Sequence, residues 1–379
     1  MNTITSQLSR KASRGRGERC STCPAKAPYP VIKLGVDTHG QQYTFARLID
    51  HQGAQPPQRL GVEAFLEFLK KQTTLAQEVV MVYEAGPYGY TLYRQATAMG
   101  VRCLVCAPER LSRGRKRAND TIDARELLSR LDRYLSGNTT ALRLVRVPSL
   151  AEEMRRRQSR EREVYRKERQ RWMARGRSLL HSLGIARPGK WWQPYVLAQW
   201  HKQVSQQYGQ EPTQQAWKEL EGYRQAMQEM EKRRQELTQC LRRSAAQRGH
   251  RRLKGIGRLG EELLEREIGS WERFANRRQV ASYTGLCPGE ASSGESQRHL
   301  SIDKHGNPRV RAVLVELAWL LPRYQPRYCR LKRWRQVLAQ GGAGRKKAVV
   351  ALARQLAVDL WRIKTGRVQP QELGLKWAA

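Results

Sequence analysis

Four acids occupy the positions at which this chain can do chemistry. Asp37 closes one apolar run, Glu84 closes another, and Asp120 and Asp123 stand three residues apart ahead of Ala124, Leu127, Leu128 and Leu131. That last spacing puts both aspartates on the first turn of one amphipathic helix, on a similar face. Carboxylates are hard oxygen ligands. Four of them converging at one sheet edge would hold two Mg2+ ions about 4 Å apart, one favouring the attacking and one the leaving oxygen of a phosphoryl displacement. Each acid also has an ordinary role, since acids at a helix start cap it and an Asp after a strand begins a turn. Taken one at a time, the acids are better read in those ordinary roles, and only their combined order and context favours the metal reading.

The chain around these acids is strongly basic. Its 379 residues carry 71 Lys and Arg against 34 Asp and Glu, a formal charge of +37, and the excess runs through the whole length. Such a field attracts polyanions, and neutralised phosphates release counterions, so binding is salt-sensitive. The length predicts two to three domains, and 39% hydrophobic residues build ordinary cores in them, which excludes a disordered chain. No segment approaches the ~20 consecutive apolar residues of a spanning helix, and the N-terminal residues hold Arg and Ser without an apolar signal core. The expectation is a cytosolic protein in contact with DNA or RNA and not with a membrane. Seven cysteines, an odd number, argue against a disulfide framework. Cys20 and Cys23 form a CxxC, but structural zinc takes four ligands and no second knuckle follows. Cys103 and Cys106 lie in an apolar run and read as buried core thiols.

The elements that must position the acids follow from periodicity. Residues 1–30, rich in Arg, Ser, Gly and Pro, read as a flexible basic arm, and order begins at Val31. The run 31–37, a His39-Gly40 turn and the run 43–49 predict a hairpin. Val62, Phe65, Leu66 and Leu69 keep the spacing of one helix face. A strand over 79–83 leads into Glu84, and a helix over 88–99 crosses to a strand over 101–106. Strands first paired by a hairpin and then joined by helices predict an α/β layered domain with a mixed sheet over residues 31–150.

The texture then changes to helices. Tyr165, Trp172 and Leu179 recur every seven residues, and Ala216, Leu220, Tyr223, Met227, Met230, Leu237 and Leu241 repeat in steps of three and four once Arg234 joins the seam. Heptads with charged flanks predict coiled-coil helices over 151–250, forming either an intrachain hairpin or an oligomer interface. Trp191, Trp192 and Trp200 between them can pack on the helices or stack on bases, and packing is the commoner use. A third, mostly helical unit covers 251–365, followed by a short polar tail over 366–379. It opens with Lys254-Gly255-Ile256-Gly257, a glycine turn whose backbone N–H groups can hold a phosphate or simply make the turn.

In this order the motifs resemble the DEDD transposases of insertion sequences, whose N-terminal domain is RuvC-like within the ribonuclease H superfamily. The first half of the resemblance rests on Val36-Asp37, Val82-Tyr83-Glu84-Ala85 and Asn119-Asp120-Thr121-Ile122-Asp123-Ala124. The second half rests on Lys254-Gly255-Ile256-Gly257, Phe274, Tyr283-Thr284-Gly285-Leu286-Cys287-Pro288, Ser292-Ser293-Gly294 and Ile302-Asp303-Lys304-His305-Gly306-Asn307 with Arg309 and Arg311. Together these resemble the C-terminal transposase domain that accompanies the RuvC-like one in this family.

The resemblance implies that Asp37, Glu84, Asp120 and Asp123 bind Mg2+ or Mn2+. It implies that Ser293 or Ser292 is a nucleophile forming a transient phosphoserine link to DNA, with Ser293 preferred because Gly294 allows close backbone approach. It also implies DNA partners at the element ends and the target and a structured noncoding guide RNA; the heptads support an oligomer, and synapsis of two DNA segments suits a homodimer or homotetramer. Lys304, Asn307, Arg309 and Arg311 form a basic group beside that loop, placed for phosphate contact or for covering a helix start. His299 and His305 are either proton carriers or surface residues. The chain departs from the family pattern at its N-terminal arm, at Thr121 where a basic residue is common, and at Asp303 where Ser or Thr is common. The rival readings are a RuvC-like junction nuclease that uses water and a noncatalytic nucleic-acid-binding scaffold.

Overall fold

β1 (Tyr29–Thr38) is the strand on which the first unit is built, and its neighbours place the acids. The structure, a computed structural model, describes residues 28–108, 119–249, 251–293, 296–340 and 342–378, with backbone alone for 290–300. The basic arm with Cys20 and Cys23, up to residue 27, lies outside the described residues, as does Gly294. The described residues divide into two compact units at the Val147–Pro148 junction.

In the first unit β1 pairs antiparallel with β2 (Gln42–Ile49) through the expected turn, where the His39 N–H donates to Gln42 O at 3.1 Å. β2 pairs with an edge strand, β3 (Gln58–Gly61), that leads directly into α1 (Val62–Leu75). On its other side β1 runs parallel to β4 (Ala76–Glu84), which runs parallel to β5 (Arg102–Cys106) after α2 (Thr91–Ala98). The sheet order is β3-β2-β1-β4-β5, the mixed sheet that the sequence pattern predicts. Alternation sorts the side chains. Ile32, Leu34, Val36, Met81 and Tyr83 meet Phe65 and Leu69 of α1 and Leu92 and Ala96 of α2 on one face. On the other face Val80 and Val82 meet Leu127 and Leu131 of α3 (Asp120–Leu135).

α3 lies unusually close to β1. A Cβ on Gly35 would fall 2.3 Å from Leu128 N and 2.5 Å from Ala124 O, so only glycine lets the two main chains touch. Ala46, Ala124 and Leu128 complete this buried contact, and the buried Lys33 reaches Asp132 of α3 at 2.6 Å.

The second unit begins with α4 (Leu150–Ser182), whose Ser149 and Glu152 form a capping box. α5 (Pro194–Tyr208) and α6 (Gln210–Gln247) follow. α4 and α6 pack antiparallel along one chain: Arg162 Nε bonds Thr238 Oγ1 at 2.8 Å, Arg169 meets Glu231 at 3.2 Å, and the Trp172 and Tyr223 rings lie 5.6 Å apart. Trp191 is fully buried, donates Nε1–H to Met173 O at 3.1 Å, and overlies Gly176 so closely that no Cβ fits there. Trp192 and Trp200 pack around it.

The remainder holds α7 (Arg258–Ile268), α8 (Arg277–Thr284), the antiparallel pair β6 (Pro288–Ser293) and β7 (Ser296–Ile302), α9 (Pro308–Tyr324), α10 (Arg335–Gln340) and α11 (Gly342–Lys364). Their core joins Leu264, Leu314, Leu321, Leu352, Leu356 and Leu360. Residues 366–378 differ from the polar tail expected over 366–379. Val368, Leu373 and Leu375 are buried and Trp377 pairs with Leu253. Their apolar residues are broken by Gly374 and Pro370 and carry no helical or strand period. No helix among the described residues is long and apolar enough to cross a membrane.

Candidate metal centre and serine hairpin

Asp37 sits one residue beyond the Val36–Tyr83 pair on β1, and Glu84 one residue beyond it on β4, so the two acids leave the same edge of the sheet side by side. Asp120 and Asp123 come to that edge on the first turn of α3. The helix starts there because Asn119 caps it, accepting from the Thr121 N–H at 3.1 Å. Among the described residues, ligand atoms of Asp37, His39 and Asp120 all lie within 4.8 Å of one another. The His39 imidazole stands 3.7 Å from Asp37 and 3.6 Å from Asp120. Arg59 of β3 holds the second oxygen of Asp120 at 3.0 Å.

The electrostatics carry the same message. Burial pushes the Asp37 carboxyl above its ordinary range; His39 opposes this, and the charges of Asp120 and Asp123 add to it. The partly buried Asp37 and Asp120 and the exposed Asp123 therefore share one edge, an oxygen-donor set of the kind that can hold a hard divalent cation. Glu84 is placed differently. Its carboxylate lies 3.9 Å from Arg130, a buried residue of α3 that also donates to Ala141 O. Sequence reasoning assigned His39 to a turn and passed over Arg59. The only signal for His39 was its position two residues after Asp37.

The serines lie in the second unit. Ser292 and Ser293 end β6, with Ser292 opposite Gln297 and Ser293 opposite Ser296 across the hairpin. The hairpin is anchored at its base by main-chain bonds from Asp303 to Cys287, Lys304 to Gly285, and Asn307 to Tyr283. Gly306 sits against Gly285 N and Tyr283 O at under 2.4 Å from a would-be Cβ, which requires glycine. The basic group of the sequence is largely engaged within the protein. Asn307 caps α9 and donates to Glu267 at 3.0 Å; Arg309 bonds Glu163 of α4 at 2.7 Å; Arg311 donates to the Thr284 and Lys304 carbonyls. Lys304 is exposed, in a left-handed backbone at φ 59°. His305 is exposed, and its N–H is bound by Asp303.

The Lys254–Gly257 turn is packed too. Gly255 adopts φ 86° against the Tyr324 side chain, Lys254 O accepts from Gln325, and Gly257 takes the N-cap position of α7.

Comparison with known proteins shows the family of the chain. Residues 250–332 match the family described as Transposase IS116/IS110/IS902. The Sinorhizobium fredii protein y4rJ, named as a transposase, is 33% identical over 307 residues, covering 75% of this chain and 76% of its own. A second protein named as a transposase in that organism, y4qE, is 32% identical over 330 residues, covering 78% and 77%. The transposase for insertion sequence element IS1111A of Coxiella burnetii is 31% identical over 114 residues, 30% of this chain and 31% of its own. The chain belongs to the IS110/IS116 family of insertion-sequence transposases. It is an enzyme that cuts and rejoins DNA.

Proposed function

We propose that the first unit is a RuvC-like catalytic domain and that it works with the Ser292–Ser293 hairpin to excise and insert a mobile element. The observation that carries this reading is the meeting of Asp37 and Asp120, from the end of β1 and the start of α3, at ligand distance in a transposase. Asp37, Asp120 and Asp123 hold a divalent ion, with Glu84 available from the neighbouring strand. When bound, that ion neutralises scissile-phosphate charge and favours an ionised nucleophile. Ser293, or its neighbour Ser292, attacks phosphorus through Oγ; the P–O bond to one strand breaks, and the leaving oxygen takes up a proton. The serine ester conserves the diester, so a hydroxyl of the incoming strand attacks it, releases serine and restores the phosphodiester. Lys304 is the candidate phosphate contact, while Asn307, Arg309 and Arg311 hold the hairpin's base.

The same reading makes the chain's excess of positive charge the counterpart of two nucleic acids, the element DNA and a structured noncoding guide RNA. It acts as a homodimer or homotetramer at the nucleoid. The test is strand cleavage on element-end DNA. Asp37→Asn abolishes cleavage while most DNA binding survives, and one of Ser292→Ala and Ser293→Ala abolishes a covalent protein–DNA adduct. Recombination that survives both serine changes would point to a nuclease using water.

A further inference from the structure

We propose that a cavity of the second unit, bounded by Trp271 and Trp377, takes one unstacked nucleobase of the DNA on which this transposase acts. It rests on that DNA-processing activity and adds a second contact to it. The cavity encloses about 420 Å³, within the range of small-molecule sites. Its floor is apolar: Leu253, Leu264 and Leu360 are buried core residues. Trp377, one of its lining residues, is held by main-chain pairing, with Lys254 N–H donating to Lys376 O at 2.9 Å and Ala378 N–H to Arg252 O at 2.7 Å.

One wall is polar. Lys364 Nζ lies 3.3 Å from Glu261 and 3.0 Å from Glu265, and Trp271 donates Nε1–H to Glu265 at 3.3 Å. A nucleobase has the complementary form, two flat apolar faces and one edge of mixed donors and acceptors. The charges set its orientation. Two carboxylates against one ammonium repel a phosphate from the wall, while Arg251, whose guanidinium lies 5.4 Å from the Trp377 ring, and Arg252 supply positive charge among the lining residues. The base enters and its phosphate stays with the arginines.

Photocross-linking with the full-length protein tests this. Single-stranded DNA carrying 5-iododeoxyuridine is irradiated and the adducts are mapped by mass spectrometry, with the same sequence as 5-iodouridine RNA in parallel. The expected adducts fall on Trp271 or Trp377 with DNA. Ile363→Trp, which fills the cavity without cutting the Leu253–Trp377 pairing, is expected to keep the wild-type melt and to weaken DNA binding about tenfold, the loss of one base–aromatic stack. DNA adducts confined to other residues, or adducts at these tryptophans with RNA alone, overturn the proposal, as does a folded Ile363→Trp variant of unchanged affinity. If that variant fails to fold, the wild-type adduct map decides alone. Wild-type DNA binding by fluorescence anisotropy separates failure of the pocket from failure of the DNA-processing reading.

Discussion

Asn307 donates its side-chain amide to Glu267 at 3.0 Å while its side-chain oxygen caps α9, accepting from the Arg309 and Val310 N–H groups. Glu267 is buried and is also gripped by both arms of the Arg160 fork, each at 3.0 Å. One polar cluster therefore ties α4, α7 and α9 together at the base of the serine hairpin. Asn307→Ala is expected to lower stability by about 1 to 2 kcal/mol through loss of the cap, with a further cost for the donor taken from a buried carboxylate. Chemical denaturation measures it. An unchanged melt with weakened DNA binding would instead assign Asn307 to phosphate contact.

The same cluster makes stability depend on acid. Burial alone would raise the Glu267 carboxyl, but hydrogen bonds from Arg160 and Asn307, with the charges of Arg160 and Arg309, outweigh it and hold the group below the usual carboxylate range. A depressed folded-state pKa contributes stability that is fully present above the ordinary Glu value of 4.5 and is lost as pH falls through the folded value. Denaturation from neutral pH to about pH 3 should show this loss in wild type and a shallower one in Glu267→Gln. Parallel curves for the two proteins would contradict it.

Gly35→Ala is expected to destabilise the first unit by more than the ~1–3 kcal/mol of ordinary overpacking, because the new methyl meets backbone and not a movable side chain. Cleavage falls with it, since the same contact holds the start of α3 against β1. Gly53→Ala, which meets nothing within 4 Å, is the control and should melt like wild type. Equal melts for the two variants would show that α3 can lift from β1 at no cost.

Divalent ions should stabilise the free protein. Mg2+ or Mn2+ binds the folded acid edge and not the unfolded chain, so the melting temperature rises with ion concentration and returns on chelation. Asp37→Asn and Asp120→Asn are each expected to remove most of that rise. A rise that persists in both variants places the ion elsewhere.

Much of this arrangement was legible because apolar period and acid position coincide. The 31–37 and 43–49 runs became the β1–β2 hairpin, and the spacing after Asp120 became α3. β3 was not legible: Gln58–Gly61 follows Pro56 and Pro57 and is a short, polar edge strand without an apolar run. The roles of Arg309 and Arg311 were hidden for another reason. A basic residue beside a serine loop looks the same whether it faces a phosphate or, as Arg309 does, a glutamate from a helix 146 positions earlier in the chain. His39 was obscured by its turn, which hides how near the imagined loop comes to Asp120.

The contact at Gly35 bears on how freely this enzyme can diverge. The reach from Gly35 to Asp37 and from Ala124 back to Asp120 is covalent main chain, and the two segments touch main chain to main chain. The spacing of the acids is thus gauged by peptide geometry and not by the size of any side chain. A change of side chain on the sheet face alters packing and leaves this gauge in place, while the gauge itself can be lost by the addition of a single methyl group.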